Sequence, residues 1–113
     1  MMAPYELKNL TVRELGKTRN AMASPGYLWE LAKLSPEKQR ESALLQNQVQ
    51  LAHLKMRTAE LAQIRDKLIS NEAELTAGIE AVEKVLLQLT RVEEILAAVT
   101  SFVNVVGKVV DLL

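Results

Sequence analysis

Residues 75–106 read LTAGIEAVEKVLLQLTRVEEILAAVTSFVNVV, and the spacing of their apolar side chains decides the fold class. Leu75, Ile79, Val82, Leu86, Leu89, Val92, Leu96, Val99, Val103 and Val106 step by threes and fours, and Val110 continues the series. That is the period of one broad apolar face on a helix; a half-buried strand would alternate by twos. Upstream, no proline occurs after Pro36, and Leu, Ala, Glu, Gln and Lys dominate, which is long-helix composition. Leu54, Leu61, Leu68 and Leu75 recur every seven residues, with Val49, Leu51 and Ile64 broadening the stripe. Thr58, Arg65 and Glu72 stand where a dimeric zipper places β-branched apolar residues, which argues against a simple parallel zipper.

The strongest interruption is Ser70-Asn71-Glu72-Ala73-Glu74, with a capping residue three positions ahead of a carboxylate. It predicts an all-α, coiled-coil-like antiparallel hairpin of arms 36–70 and 72–113, turning near 70–72 and bringing Leu44 and Leu45 near Ala97 and Ala98. Ahead of it, Thr11-Val12-Arg13-Glu14 has capping-box spacing and predicts a short helix over 11–22. Ser24-Pro25 starts a second short helix, and Ser35-Pro36 repeats the signal. The expected organisation is a short-helix cap segment, 1–35, followed by the hairpin, 36–113. Tyr5, Tyr27 and Trp29 are expected to cover the apolar C-terminal end with Phe102.

A chain of 113 residues with 49% apolar, 25% charged and 4% aromatic residues has one domain's worth of aliphatic core. Four Gly and three Pro are too few for the turns of an all-β fold, and the absence of Cys excludes disulfide scaffolds, thiolate metal sites and cysteine nucleophiles. The net charge is zero but unevenly distributed. Residues 1–69 hold eleven Lys/Arg against seven Asp/Glu, a net +4, while residues 70–113 hold three against seven, a net −4. Opposite halves attract when packed side by side, within one chain or between copies. The start, Met1 to Glu6, lacks a basic stretch followed by an apolar one, so cytoplasmic residence is expected.

Catalytic constellations are missing. His53 has Val49, Gln50, Met56 and Arg57 as its helical neighbours, with no carboxylate or second imidazole on its face. Glu80 with Glu83, and Glu93 with Glu94, are paired carboxylates by spacing, but Lys84 and Arg91 make them ordinary solvated helix faces. The glycines at 16, 26, 78 and 107 form no phosphate-cradling loop. A non-enzymatic protein is therefore expected, with no cofactor, no metal and no small-molecule substrate.

Thr11 to Lys17 followed by Ser24-Pro25-Gly26-Tyr27-Leu28-Trp29-Glu30-Leu31 resembles the helix-turn-helix of DNA-binding proteins. The resemblance implies a recognition helix within 11–34 and makes DNA binding one alternative. A net charge of only +2 over residues 1–35, and a second helix offering Trp29, Glu30 and Lys33, disfavour nucleic acid as the partner.

Ile95 to Leu113 is the other unusual stretch. Its polar residues Thr100, Asn104, Lys108 and Asp111 fall on one helical stripe, which describes an amphipathic helix with a very broad apolar face. A membrane-active protein using this C-terminal helix is a second alternative. A two-helix hairpin cannot bury so wide a face by itself, so Val99, Phe102, Val103, Val106 and Val110 are expected to form a partner-binding surface, completing a bundle in a homo-oligomer or with a helical protein partner. The expected function is a helical protein–protein interaction module: a small adaptor, chaperone or assembly subunit of bacterial or phage type.

Overall fold

Proline and serine set three of the helix starts. The computed structural model describes residues 2–112, and Pro4, Pro25 and Pro36 each stand in a first helical turn, where a missing N–H goes unneeded. The Ser24 hydroxyl accepts from the Tyr27 N–H at 3.4 Å and that of Ser35 from the Lys38 N–H at 3.2 Å. The helices are α1 (Pro4–Met22), α2 (Pro25–Leu31), α3 (Pro36–Thr58), α4 (Leu61–Ser70), α5 (Glu72–Leu86) and α6 (Val92–Val106). The all-α class is as expected.

The internal boundaries differ from the expected ones. Helix α1 begins at Pro4, so the Thr11–Glu14 pair lies inside it; the Thr11 hydroxyl donates back to the Leu7 carbonyl at 2.8 Å, and Thr18 does the same to Glu14. The arm 36–70 is broken where Ala59 and Glu60 turn extended, and the arm 72–113 is broken at residues 87–91. Asn71 alone separates α4 from α5, its side-chain amide donating to the Lys67 carbonyl at 2.8 Å.

Cross-helix contacts give the topology. Helices α1 and α3 run antiparallel: Tyr27 Oη lies 2.7 Å from Ser42 Oγ, Gln46 donates to the Arg19 carbonyl at 3.1 Å, His53 lies over Gly16, and Lys8 donates to the Ala59 carbonyl at 2.8 Å. Helices α5 and α6 are the second antiparallel pair, turned at 87–91 rather than 70–72, with Lys108 Nζ 2.7 Å from Glu74 and the Phe102 ring against Gly78. Helix α5 runs parallel to α1, joined by Lys17 and Glu83 at 3.4 Å, and α3 packs on α6. The ring α1–α3–α6–α5 closes as a four-helix bundle. Helix α4 leads from α3 to the diagonal corner at α5 and packs on α1. Residues 4–22 are thus one wall of the bundle rather than a cap on a hairpin.

The core is aliphatic, as the composition implied. It takes Leu7 and Leu15 from α1, Leu45, Val49 and Met56 from α3, Leu68, Leu75 and Val82 from α4 and α5, and most of the inner face of α6. The seven-residue leucine series divides. Leu68 and Leu75 are buried, whereas Leu54 is 48% exposed because α3 turns Leu45, Val49, Ala52 and Met56 inward instead. Of the three aromatic residues expected to cover the C-terminal end, Tyr27 is interior and bonded to Ser42, while Tyr5 and Trp29 are exposed.

Candidate functional site

The five side chains expected to form a partner surface are all core. Val99, Phe102, Val103, Val106 and Val110 are each buried inside the single chain. The expectation failed because it counted two helices. With α1 and α3 also in the ring, α6 has neighbours on both flanks, and the chain after it returns Val109 and Val110 onto the core through N–H bonds to the Val106 carbonyl. None of the five is available to a partner on this surface.

What the surface does offer lies in two places. The first is a cleft on the α1–α5 seam. The buried stripe of α1 is Leu7, Thr11, Glu14, Leu15, Thr18 and Met22, so the Glu14 carboxyl is carried inward with the core residues and is only 2% exposed. Its Oε2 is buried without a hydrogen-bond partner. Facing it from α5 is Glu83, about half exposed, and one turn along α1 Lys17 reaches Glu83 Oε1 at 3.4 Å. Burial, then the hydrogen bond and the charge of Glu83, push the Glu14 carboxyl up to about 7, against the pull of Lys17. Glu83 is held below the ordinary carboxylate range, first by its hydrogen bond with Glu14 and then by Lys17. Of the two carboxyls, the enclosed Glu14 is therefore the one that keeps its proton to higher pH. Ala21, Leu86 and Leu87 complete a cleft of about 380 Å³ around them.

Sequence reasoning missed this pair. By spacing alone Glu14 is the acid of a capping box and Glu83 one of a solvated pair beside Lys84. The available signal was position: Glu14 lies three residues from Thr11 and four from Thr18, on a face whose other members are apolar or small.

The second place is the end of the bundle where α2 meets residues 87–91. Leu28 is exposed, Trp29 is 71% exposed and Leu87 is 84% exposed. Lys33 Nζ stands 5.9 Å from the centroid of the Trp29 ring. Between α2 and the start of α6 runs a groove edged by Glu30, Lys33, Arg91 and Glu94, in which Lys33 pairs with Glu30 at 3.2 Å and Arg91 with Glu94 at 3.4 Å. The charges there are mixed and mutually satisfied.

His53 belongs to neither place. It is packed on Gly16 in the α1–α3 interface, and partial burial, followed by the Arg57 and Arg19 guanidiniums, holds its imidazole below the ordinary value, hence neutral at pH 7. Among the described residues no group of three or more His, Cys, Asp or Glu is placed to hold a metal ion, and no helix is long and apolar enough to cross a membrane. No family model, curated relative or solved structure matches the chain.

Proposed function

We propose that this chain is a non-enzymatic helical interaction module, a small cytoplasmic adaptor, chaperone or assembly subunit that docks a protein partner through the bundle end formed by α2 and residues 87–91. The observation that supports this reading is the exposure of Leu28 and Trp29 on α2 and of Leu87 at the α5–α6 reversal, the last two being the most exposed of the described large apolar side chains, ahead of Leu44, Tyr5, Leu54 and Ile69. Exposed large apolar side chains grouped in one region are what docking surfaces present, and a Trp among them is the residue type that most often anchors one. Because the four-helix ring already buries α6, association with a second copy or a helical partner is surface docking, not completion of a coiled coil.

The test is light-scattering mass against protein concentration, together with capture from the native cell, for the wild type and a Leu28→Ser, Trp29→Ala double variant. The variant is expected to weaken association at least about tenfold while its helix content and melting temperature stay unchanged. A wild type that remains monomeric and retains no protein would overturn the reading. Sedimentation with neutral liposomes would replace it with a membrane-active function, and duplex binding that collapses as salt rises would replace it with a DNA-binding one.

A further inference from the structure

The α1–α5 cleft is unfinished as a set of hydrogen bonds. At its floor Glu14 presents a buried oxygen with no donor, although a charge-bearing group so enclosed is ordinarily satisfied. At its mouth stands the half-exposed carboxylate of Glu83, and its walls are the aliphatic side chains of Ala21, Leu86 and Leu87. The chain's own ammonium group, Lys17, reaches only the rim, at 3.4 Å from Glu83, and leaves the Glu14 oxygen unpaired. What the cleft lacks is an N–H donor carrying positive charge at the end of an apolar stem. A hard metal ion is a poor match, since calcium takes six to eight oxygen ligands and here two carboxyls face aliphatic walls.

We propose that this cleft binds a cationic alkyl group, the ammonium or guanidinium of a Lys or Arg side chain, with its N–H donors on Glu14 and Glu83 and its methylenes against Leu86 and Leu87. The proposal rests on the interaction reading only in taking a protein as the carrier of that side chain. Small alkyl cations test it without a partner, so its failure leaves the interaction reading standing, and the reverse is also true.

The chemistry is a cation-for-proton exchange. Where Glu14 is protonated, its carboxyl gives up the proton to solvent and the carboxylate left behind accepts from the entering ammonium or guanidinium, so the protons released per cation fall from nearly one at pH 6 to nearly none at pH 8. The charged groups that bear on Glu14 among the described residues are Glu83 of α5 and Lys17 of α1. From α3 the titratable group facing α1 is His53, seated on Gly16 with Arg57 and Arg19 nearby. Helix α4, which also packs on α1, carries Arg65, Asp66 and Lys67, and α2 carries Glu30. Because only the ionised form binds, and the group titrates near 7, affinity should rise about tenfold between pH 6 and pH 8.

The experiment titrates the full chain with n-butylguanidinium and n-butylammonium chloride at constant ionic strength, following the Glu14 and Glu83 carboxyl carbons and the Leu86 and Leu87 methyl groups by NMR, with sodium chloride as the control cation. Saturable shifts at those four residues are expected, about tenfold tighter at pH 8 than at pH 6. Glu14→Gln, which keeps the shape of the protonated acid, should abolish both the saturation and the pH dependence. Glu83→Gln lies at the surface, cannot disturb the core, and should weaken binding severalfold. Lys17→Met removes the competing ammonium but also its pull on Glu14, so it should tighten binding only well above neutrality and move the pH dependence upward. Absence of saturation, an equal response to sodium, or unchanged binding in Glu14→Gln would each overturn the proposal.

Discussion

Helix α5 is packed on two flanks, and the two seams are built in opposite ways. Toward α6 it is dry. Leu75 and Val82 share the buried core with Val99, Phe102 and Val106, and the bare Cα of Gly78 admits the Phe102 ring so closely that a Cβ there would lie 2.8 Å from Phe102 Cδ1. Toward α1 the same helix offers Glu83, and α1 answers with a buried carboxyl, a lysine and two threonines bonded back to their own helix. The buried part of this seam has nothing to titrate, and the close approach of Phe102 to Gly78 fixes the relative position of the two helices, while an open groove of about 500 Å³ edged by Ala77, Ala81, Ala97 and Ala98 runs along its outer side. The polar seam keeps a group whose charge changes near neutrality and a cleft beside it. Stability is concentrated on one flank of α5 and responsiveness on the other.

The largest effect expected from this contrast is at the dry seam. Val106 has no exposed surface, so Val106→Asp places a carboxylate among aliphatic side chains with no partner. The cost, several kcal/mol, is comparable to the whole stability of about 5–15 kcal/mol typical of such a domain. Loss of the helical circular dichroism signal, or a large fall in the urea midpoint, is expected in dilute solution whatever the state of association. A variant that kept wild-type helix content and midpoint would show that α6 is not enclosed as described.

The same contrast explains what could be read from the sequence. The dry seam was legible because burial there is written in apolar periodicity: Leu75, Val82, Leu96, Val99, Val103 and Val106 were assigned to one face and share the core. What they face was misjudged, because the two reversals that close the bundle carry neither Gly nor Pro. Thr58-Ala59-Glu60 and Leu87-Gln88-Leu89-Thr90-Arg91 are composed of residues that also suit a helix, and tertiary packing, not local preference, ends the helices there. Ser70-Asn71-Glu72 has the better turn composition and yields only a one-residue interruption. The start of α1 went unread because its signal is Pro4 alone; Ala3 supplies no side-chain cap. The polar seam was illegible for a different reason: pairing Glu14 with Glu83 requires knowing that α1 lies beside α5, a contact between residues 69 positions apart that no spacing rule announces.

A smaller effect, of opposite character, is expected at the polar seam. Glu14 in the folded chain titrates near 7, above its unfolded value of 4.5, so the folded state binds this proton more tightly than the unfolded state does. The stabilisation is fully present below pH 4.5 and is lost progressively as pH rises to about 7, amounting to a few kcal/mol at most for so enclosed a group. The wild-type melting temperature should therefore fall between pH 5 and pH 8. Glu14→Gln, which has no proton to lose, should hold nearly level over that range and exceed the wild type at its upper end. Parallel pH profiles for the two proteins would show that the α1–α5 seam is not governed by this carboxyl.

The smallest effect separates distance from burial as the source of strength. The Lys108–Glu74 pair on the rim of the α5–α6 seam is the shortest ion pair among the described residues, at 2.7 Å, yet both side chains are more than half exposed. Water and salt screen such a pair, and two long side chains lose rotamer freedom in holding it, so its net contribution is about 0–1 kcal/mol. Lys108→Met keeps the aliphatic stem while removing the charge. It should shift the urea midpoint by no more than that amount and differ less from the wild type as salt is raised. A loss well above about 1 kcal/mol that persisted in high salt would mean that the rim, and not only the Phe102 and Gly78 contact beneath it, holds α6 to α5, and the division between a fixed apolar flank and an adjustable polar one would fail at its stronger side.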